Sequence, residues 1–272
     1  MPLTNQMRTS DQRPADKNMA LPQAPSVSAA DENRRRSRWI KRAKNILLDL
    51  VFPPSCASCK KEGAYLCGQC RNALRMIPPS CFVCGRLTPL RGRVPAGATC
   101  KTCRKKTVIR RFLSPFLYEA STAEALVRSL KYHRILALAP GMAQEMATYL
   151  AYYTPRLPRD ACFVPIPLHP RRERTRGFNQ AELLSAGVGV LLNIPIMPIL
   201  ARTRNTAPQA PRTKDERRTN LEHAFSAPSQ KNAPRLAILI DDVKTTGATL
   251  EEAARALTSA GVKTIWAVTF AH

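Results

Sequence analysis

The chain has 272 residues, and its 43 Lys and Arg against 19 Asp and Glu give a formal net charge of +24. Since domains usually contain about 100 to 150 residues, this length allows one substantial core plus a smaller module. Such an excess of basic residues is typical of proteins that bind nucleic acid, a phosphate ligand or a membrane surface, but it does not distinguish among these partners. No run approaches the roughly 20 apolar residues of a membrane-spanning helix, and the N-terminus lacks the apolar core of a signal peptide. We therefore expect a cytoplasmic protein with no transmembrane segment.

Two segments precede the first cysteine. Residues 1–33 are polar, contain several prolines and show no sustained periodicity, which predicts a disordered tail. Residues 34–51 combine apolar residues at helical spacing with seven basic and no acidic residues from Arg34 to Lys44, which predicts a basic amphipathic helix. Such a helix can bind anionic membrane or nucleic acid, although one that leads directly into a folded module more often packs on that module.

Residues 52–106 contain four CxxC pairs, in which eight of the nine cysteines lie. The pairs are Cys56/Cys59, Cys67/Cys70, Cys81/Cys84 and Cys100/Cys103. Two thiolates at this spacing can bind one tetrahedral Zn²⁺, and two pairs complete a Cys₄ site. The pattern therefore predicts two structural zinc ions, with sequential pairing of neighbouring motifs or cross-paired sites both possible. Disulfides and redox pairs are the alternatives, but four clustered pairs favour metal in a reducing compartment.

Beyond residue 110 the sequence alternates between apolar runs and amphipathic segments. Strands are predicted at 112–119, 161–169, 235–240 and 264–271, an extended segment at 194–200, and helices at 121–132, 140–153, 179–192 and 249–261. This alternation predicts an α/β domain over 110–272 whose mostly parallel sheet is covered by helices. The remaining cysteine, Cys162, precedes the strand "FVPIP" and is interpreted as a small core residue.

Three helix starts have local signals. Ser121 and Glu124 fit a capping box, and Pro140 fits the first turn of a helix. Asn179 stands where a third helix begins, with Glu182 three residues later. A long basic loop, 202–220, separates the extended segment 194–200 from the strand at 235–240.

The stretch "ILIDDVKTTGATLEE" carries the most specific chemistry. Asp241 and Asp242 follow an apolar run, at the end of a strand where open α/β sheets bind ligands. The residues that follow lead into a helix whose free backbone N–H groups form an anion site, and Gly247 allows a phosphate close to the backbone. Two carboxylates beside an anion site are suited to accept hydrogen bonds from hydroxyls or to bind a divalent cation. A sugar phosphate offers both partners.

The same stretch closely resembles the phosphoribosyl-pyrophosphate (PRPP) motif of type I phosphoribosyltransferases. Three further segments, "LKYHR", "VPIPLHPRRERTRGFNQAELL" and "RTRNTAPQAPRTKDERRTNLEHAF", are similar to signatures of the ComF (competence protein F) family. That family comprises amidophosphoribosyltransferase-like proteins with an N-terminal zinc ribbon. The resemblance extends from about Leu47 to the C-terminus. It implies a type I phosphoribosyltransferase-like fold preceded by a double zinc ribbon with sequential cysteine pairing.

The resemblance also implies roles for individual residues. The acidic pair would contact the ribose hydroxyls of PRPP as the catalytic carboxylates, with Mg²⁺ bound alongside. The 5-phosphate would be held by Thr245, Thr246, Gly247, Ala248 and Thr249. The segment "VPIPLHP" takes the place of the pyrophosphate loop, and residues 202–220 that of a flexible loop that closes over PRPP. Four arginines are then expected to neutralise the pyrophosphate, namely Arg171, Arg172, Arg174 and Arg176. Lys244, where the family usually has an aliphatic residue, either adds positive charge or points to solvent.

Two functions follow from these observations. The first is phosphoribosyl transfer with release of pyrophosphate, to an acceptor that no segment identifies. The second is a non-catalytic role in DNA uptake, in which the zinc ribbons and basic segments hold single-stranded DNA. The net charge favours DNA through counterion release. Aromatic residues make up only 6% of the chain, so a base-stacking platform is not evident.

Overall fold

The structure is a computed structural model that describes residues 53–89, 94–158, 160–204, 223–229 and 233–272. These residues belong to one compact unit, Pro53–His272. The predicted tail 1–33, the predicted basic helix 34–51 and most of the predicted loop 202–220 lie outside the described residues.

The described part of the chain combines parallel strands with helices. The strands are β1 (Ile109–Leu113), β2 (Ala161–Pro165), β3 (Ala201–Arg202), β4 (Phe225–Ser226), β5 (Leu236–Val243) and β6 (Thr264–Ala271). The helices are α1 (Gly68–Ala73), α2 (Ser121–Lys131), α3 (Ala139–Tyr153), α4 (Pro170–Arg176), α5 (Gln180–Leu192) and α6 (Ala248–Ser259), and a 3₁₀ turn (Leu136–Leu138) precedes α3.

The central sheet has the strand order β1-β6-β5-β2, and all of its pairings are parallel. The short strands β3 and β4 form a separate antiparallel pair. Parallel strands joined through helices are buried on both faces, which explains why β5 and β6 are almost continuously apolar. This arrangement, preceded by the cysteine-rich region, confirms the predicted α/β class with a mostly parallel sheet.

Side chains of β5 alternate between two hydrophobic clusters. Ile238 and Ile240 join the cluster that contains the buried side chains of α2, α3 and α5. Ala237 and Leu239 join the cluster on the other face, which contains the buried side chains of α6. Because successive residues of a strand point to opposite faces, one apolar run fills both layers. The core therefore lies on both faces of the sheet at β5, and packing on both faces fixes the position of the carboxyl end of that strand.

Several predicted boundaries differ from the observed ones. The predicted strand 112–119 is observed as β1, which ends at Leu113 because Ser114 and Pro115 interrupt the ladder. The strand predicted at 161–169 ends at Pro165. The predicted extended segment 194–200 makes one isolated parallel bridge, from Ile196 to Phe163.

Two of the three helix-start predictions are confirmed. The predicted capping box is wrong, because α2 begins at Ser121 itself, its N-cap is Ala120, and no side chain caps it. Asn179 does cap α5, since its side-chain oxygen accepts a hydrogen bond from the Ala181 N–H at 3.0 Å. Pro140 lies in the first turn of α3, as predicted.

Both cysteine-rich halves pack on the sheet domain. Ala57, in the first half, is part of the cluster that contains α2, α3 and α5. Phe82, in the second half, is part of the cluster that contains α6. Residues 97–99 also run antiparallel along β1, where the Phe112 N–H donates to the Gly97 carbonyl at 2.8 Å and Ala98 bridges Arg111. The second half therefore covers an edge strand that would otherwise expose unpaired backbone groups.

Candidate functional site

The eight paired cysteines form two clusters in the described residues. One cluster contains Cys56, Cys59, Cys67 and Cys70, and the other contains Cys81, Cys84, Cys100 and Cys103. Within each cluster the sulfur atoms all lie within 4.8 Å of one another, and none of these cysteines is in a disulfide. Sulfur–sulfur distances of 3.6, 3.8 and 3.9 Å match the separation of about 3.8 Å in a tetrahedron with Zn–S bonds of about 2.3 Å. The two clusters therefore fit structural Zn²⁺, with the sequential pairing.

The two clusters begin with the same hairpin, repeated along the chain. The Cys56 N–H donates to the Lys61 carbonyl and the Cys81 N–H to the Arg86 carbonyl, both at 2.8 Å. The turn residues at equivalent positions, Lys60 and Gly85, have positive φ angles of 66° and 70°. This backbone turns two cysteines of a CxxC pair toward one point, which is what a shared metal requires.

The cysteine pKa values are typical of crowded thiolates. A hydrogen bond with the Thr102 hydroxyl is the main reason that the pKa of Cys100 is lowered to about 6. Contact with the Cys100 sulfur in turn raises the pKa of Cys103 to about 12, and contact with Cys59 raises that of Cys70 to about 12. Four sulfur atoms at these distances cannot all be anionic without a cation between them. A divalent metal supplies that compensation.

The acidic pair lies in the last residues of β5. Asp242 is 1% exposed, whereas Asp241 is half-buried, and the Asp242 N–H donates to Asp241 Oδ1 at 2.8 Å. Lys131, from the last turn of α2, places its Nζ 2.7 Å from Asp242 Oδ2. This buried ion pair compensates one of the two negative charges.

The shifted pKa values of Asp241 and Lys131 show that the two carboxylates and the ammonium act on one another. Burial, and then the charge of Asp242, raise the pKa of Asp241 well above its ordinary value. Burial alone would lower the pKa of Lys131, but the charges of Asp242 and Asp241 outweigh it and raise that pKa. Ionisation of Asp241 is therefore unfavourable in this environment, and a cation or hydroxyl donors at this position would stabilise its carboxylate.

The Thr/Gly turn connects the acidic pair to α6. Gly247, with a φ of +80°, precedes the first helical residue, Ala248. The Ala248 N–H donates to the Thr246 hydroxyl at 3.4 Å, and the Thr245 and Thr246 side chains are exposed. The turn thus presents hydroxyls and first-turn amides next to the carboxylates, as an anion site at a helix N-terminus does.

A basic segment lies beside the acidic pair, at the end of the neighbouring strand β2. The Ile166 N–H donates to the Ile240 carbonyl at 3.0 Å, so the loop after β2 runs next to Asp241. His169 caps the following helix, α4, by accepting the Arg171 N–H at its Nδ1 at 3.2 Å. Partial desolvation, and then the surrounding arginines, lower the pKa of His169, which favours the neutral ring that this cap needs.

The family described as "Double zinc ribbon domain" matches residues 47–104. "Competence protein F" of Haemophilus influenzae is 29% identical over 217 residues, which cover 77% of this chain and 86% of that protein. "Competence protein ComFC" of Bacillus subtilis is 30% identical over 209 residues, covering 74% and 81%. "DNA utilization protein YhgH" of Escherichia coli (strain K12) is 28% identical over 223 residues, covering 79% and 96%. The chain belongs to the ComF family.

The four arginines considered for pyrophosphate have different surroundings in this ComF-family chain. Arg171 and Arg174 are exposed, and Arg176 donates through Nη1 to Gln180 Oε1. Arg172 is half-buried, and its pKa is lowered by burial and then by the charge of Arg176. Of the four, Arg172 also acts electrostatically on Arg202, the residue described next.

Two residues of the site were missed in the sequence. Lys131 lies within the ComF signature "LKYHR", but only the fold shows that it pairs with Asp242. Arg202 ends β3, with its guanidinium carbon 5.3 Å from the centre of the Phe225 ring. Burial, and then the charge of Arg172, lower the pKa of Arg202, while Asp241 acts in the opposite direction. Both missed residues lie in segments that resemble ComF signatures, which is the one signal that could have drawn attention to them. Because these segments are distant in sequence from the acidic pair, only the fold relates them to it.

Of the two alternatives predicted for Lys244, the one in which it points to solvent is wrong. Its Nζ lies 5.3 Å from the centre of the Phe82 ring and 5.2 Å from that of Phe112. The side chain is half-buried and lies against aromatic rings rather than in solvent.

No helix among the described residues combines the length and the apolar character needed to cross a membrane.

Proposed function

We propose that the chain is a PRPP-binding, phosphoribosyltransferase-like protein, with a zinc-ribbon module over 52–106 and the transferase-like domain over 110–272. The observation that carries the proposal is the placement of Asp241 and Asp242 at the carboxyl end of a central parallel strand, followed directly by the positive-φ Gly247 and the start of α6. This is the position at which open α/β sheets bind ligands. Membership of the ComF family, whose motif resembles that of type I transferases, supports it.

Each part of PRPP finds a partner of suitable chemistry. The ribose hydroxyls donate to the two carboxylates, and the 5-phosphate accepts hydrogen bonds from the turn at residues 245–249. The pyrophosphate lies toward Arg172 and Arg202, whose planar guanidinium groups suit phosphate oxygens. Mg²⁺ bound with PRPP would add positive charge to the pyrophosphate.

The reaction of such a site is a substitution at C1 of the ribose. A nucleophile forms a bond to C1 while the bond from C1 to the pyrophosphate oxygen breaks, and the pyrophosphate leaves with the bonding electrons. Positive charge develops on the ribose in an oxocarbenium-like state, and negative charge develops on the leaving group. The carboxylates on one side and the arginines on the other are arranged to stabilise these two charges.

Turnover of PRPP is the direct test. Purified protein is incubated with Mg²⁺ and PRPP in the presence of a panel of nucleobases and amine donors, and pyrophosphate release is measured. We expect release that depends on one acceptor class and exceeds the acceptor-free rate. Calorimetric binding of PRPP with Mg²⁺ is measured in parallel. Binding without release would make the protein a PRPP binder rather than a transferase, and absence of binding would contradict the proposal.

A second candidate function, binding of single-stranded DNA, is favoured by the surface of the second zinc cluster. The sequence has no acidic residue between Glu62 and Glu119. Around the second zinc cluster, the described residues include six exposed basic side chains, namely Arg86, Lys101, Arg104, Lys105, Lys106 and Arg110. In the fold, the Glu251 carboxylate accepts hydrogen bonds from Thr107 and Val108 beside these residues, but basic side chains outnumber it. A surface with such an excess of positive charge attracts phosphate backbones. The printed names of the relatives, which refer to competence and to DNA utilization, are consistent with this partner.

Salt dependence tests this second function. We expect single-stranded DNA to bind at 50 mM salt and to lose roughly 20-fold in affinity at 200 mM for every three phosphates contacted, as counterion release predicts. The triple variant Arg104→Ala, Lys105→Ala, Lys106→Ala should flatten the dependence, whereas Arg156→Ala, an exposed arginine after α3, should not. No binding at low salt would exclude this function.

A further inference from the structure

The turn that precedes α6 lies directly against an aromatic residue of the second zinc cluster. Phe82 stands between two of the cluster's cysteines, Cys81 and Cys84, and is only 6% exposed. A Cβ atom built on Gly247 would lie 2.8 Å from Phe82 Cζ, closer than real Cβ contacts. The ring therefore occupies the space beneath the turn, and it restricts how far the turn can move inward.

Lys244, at the start of the same turn, completes this contact. Its N–H continues the sheet by donating to the Ala271 carbonyl at 3.0 Å. Its side chain runs past Gly247, with Cε 3.2 Å from the position of a Cβ on that glycine. Its Nζ lies over the rings of Phe82 and Phe112, at 5.3 and 5.2 Å from their centres. Ammonium groups at such distances are attracted to aromatic faces, more strongly when the contact is partly desolvated.

Phe82 is in turn fixed from the sheet side. Its ring meets that of Phe112 edge-to-face, with centroids 5.7 Å apart and an interplanar angle of 72°. Phe112 belongs to β1, along which residues 97–99 of the second cysteine-rich half run. A short CxxC loop such as Cys81–Cys84 has few buried apolar contacts of its own. Apart from the Phe82–Phe112 contact and the pairing of residues 97–99 with β1, its conformation would be fixed by a metal bound to its thiolates.

We infer that the second zinc cluster, through Phe82, holds the turn at residues 244–247 in the conformation that binds phosphate. Phe82 is thus a positioning residue, which acts through Gly247 and Lys244 and touches no ligand atom. This inference rests on the proposed function, because it concerns the phosphate side of the PRPP site. The inference also predicts that the second zinc cluster affects PRPP binding more than the first. The reason is that Phe82, which contacts this turn in the described residues, belongs to the second cluster.

The test compares Phe82→Ala and Phe82→Leu with Val83→Ala. Val83 is the neighbouring residue of the same CxxC loop, is 40% exposed and contributes none of the three atoms nearest to a Cβ built on Gly247. Three quantities are measured for each protein: zinc per chain, amide hydrogen exchange in the peptide that covers residues 244–250 without ligand, and calorimetric affinity for PRPP with Mg²⁺. We expect the Phe82 variants to retain two zinc ions, to exchange faster in that peptide, and to bind PRPP roughly tenfold more weakly. Val83→Ala should match the wild-type protein in all three.

The outcomes separate this inference from the proposed function. If Phe82→Leu retains both metals and matches the wild-type protein in exchange and affinity, the inference is wrong. If the wild-type protein itself does not bind PRPP, the proposed function fails, and the exchange measurement alone decides whether Phe82 holds the turn. Should Phe82→Ala lose its second zinc, Phe82→Leu, which keeps an apolar side chain at this position, provides the comparison.

Discussion

Replacement of both acidic residues, Asp241→Asn with Asp242→Asn, is expected to abolish binding of PRPP in the presence of Mg²⁺. Each carboxylate is assigned hydrogen bonds from ribose hydroxyls, and hydrogen bonds to a charged group contribute about 1.5–3 kcal/mol each. Loss of two such interactions corresponds to at least about 100-fold in affinity. Isothermal titration calorimetry of the double variant against the wild-type protein measures the change. Unchanged binding would contradict the assignment of the site.

The controls for this experiment follow from the ion pair with Lys131. Asp242→Asn leaves the partly buried ammonium of Lys131 without its anion. Breaking a fully buried pair costs about 3–5 kcal/mol, which is the upper bound here, so the fold of the double variant is checked by thermal unfolding. Asp241→Asn alone keeps the Lys131–Asp242 pair and should bind PRPP weakly while remaining folded. Asp160→Asn, whose exposed carboxylate lies 3.7 Å from Arg235 Nε at the other end of the sheet, should bind as the wild-type protein does.

Removal of zinc is expected to have the largest effect on stability. The wild-type protein should contain two zinc ions per chain, and Cys56→Ser or Cys100→Ser should each reduce this content to one. Metal binding to such sites is coupled to folding and contributes about 10–16 kcal/mol in isolated zinc fingers. A net loss of about 5 kcal/mol here would lower the unfolding midpoint by roughly 10–20 °C. Metal analysis and thermal unfolding, with and without a chelator, measure both quantities.

The ninth cysteine provides a matched control for these zinc variants. Cys162 is buried in β2 and lies in neither cluster, and burial raises its pKa to about 11, so it is a neutral core residue. Cys162→Ala should therefore leave two zinc ions bound and cost only a small cavity. A protein that retains its midpoint in chelator, or in which these cysteines are oxidised to disulfides, would contradict the two zinc sites.

Many elements were predictable because their signals are local. The strand β6 was predicted with its observed bounds, since an apolar run between polar turns is sufficient to define a buried strand. The cysteine pairs were equally clear, because four CxxC motifs close together in the chain favour metal chelation over disulfides or redox pairs. Errors occurred at boundaries where two signals compete. At Ser121, for example, the capping pattern was present, but the helix began at that residue rather than after it.

The candidate site was predictable only on the β5 side. Asp241 to Thr249 form one continuous stretch, so strand end, acidic pair and phosphate turn are visible together in the sequence. Lys131 pairs with Asp242 from α2, and Arg202, at the end of β3, senses the charge of Asp241. Both residues lie in segments that resemble ComF signatures, but nothing in those segments says that either residue faces the acidic pair. In a protein with 43 Lys and Arg, the partner of a buried carboxylate cannot be chosen without the fold.

The sequence by itself determined the class of the fold, the eight candidate zinc ligands and the acidic Thr/Gly turn, because each is encoded by residues close together in the chain. Only the tertiary structure decided which cysteine pairs cluster, that Asp242 pairs with Lys131, and that Phe82 of the second cluster packs beneath Gly247. These contacts join segments that are distant in sequence. Their free energy depends on burial and on distances between side chains, which only the folded chain defines.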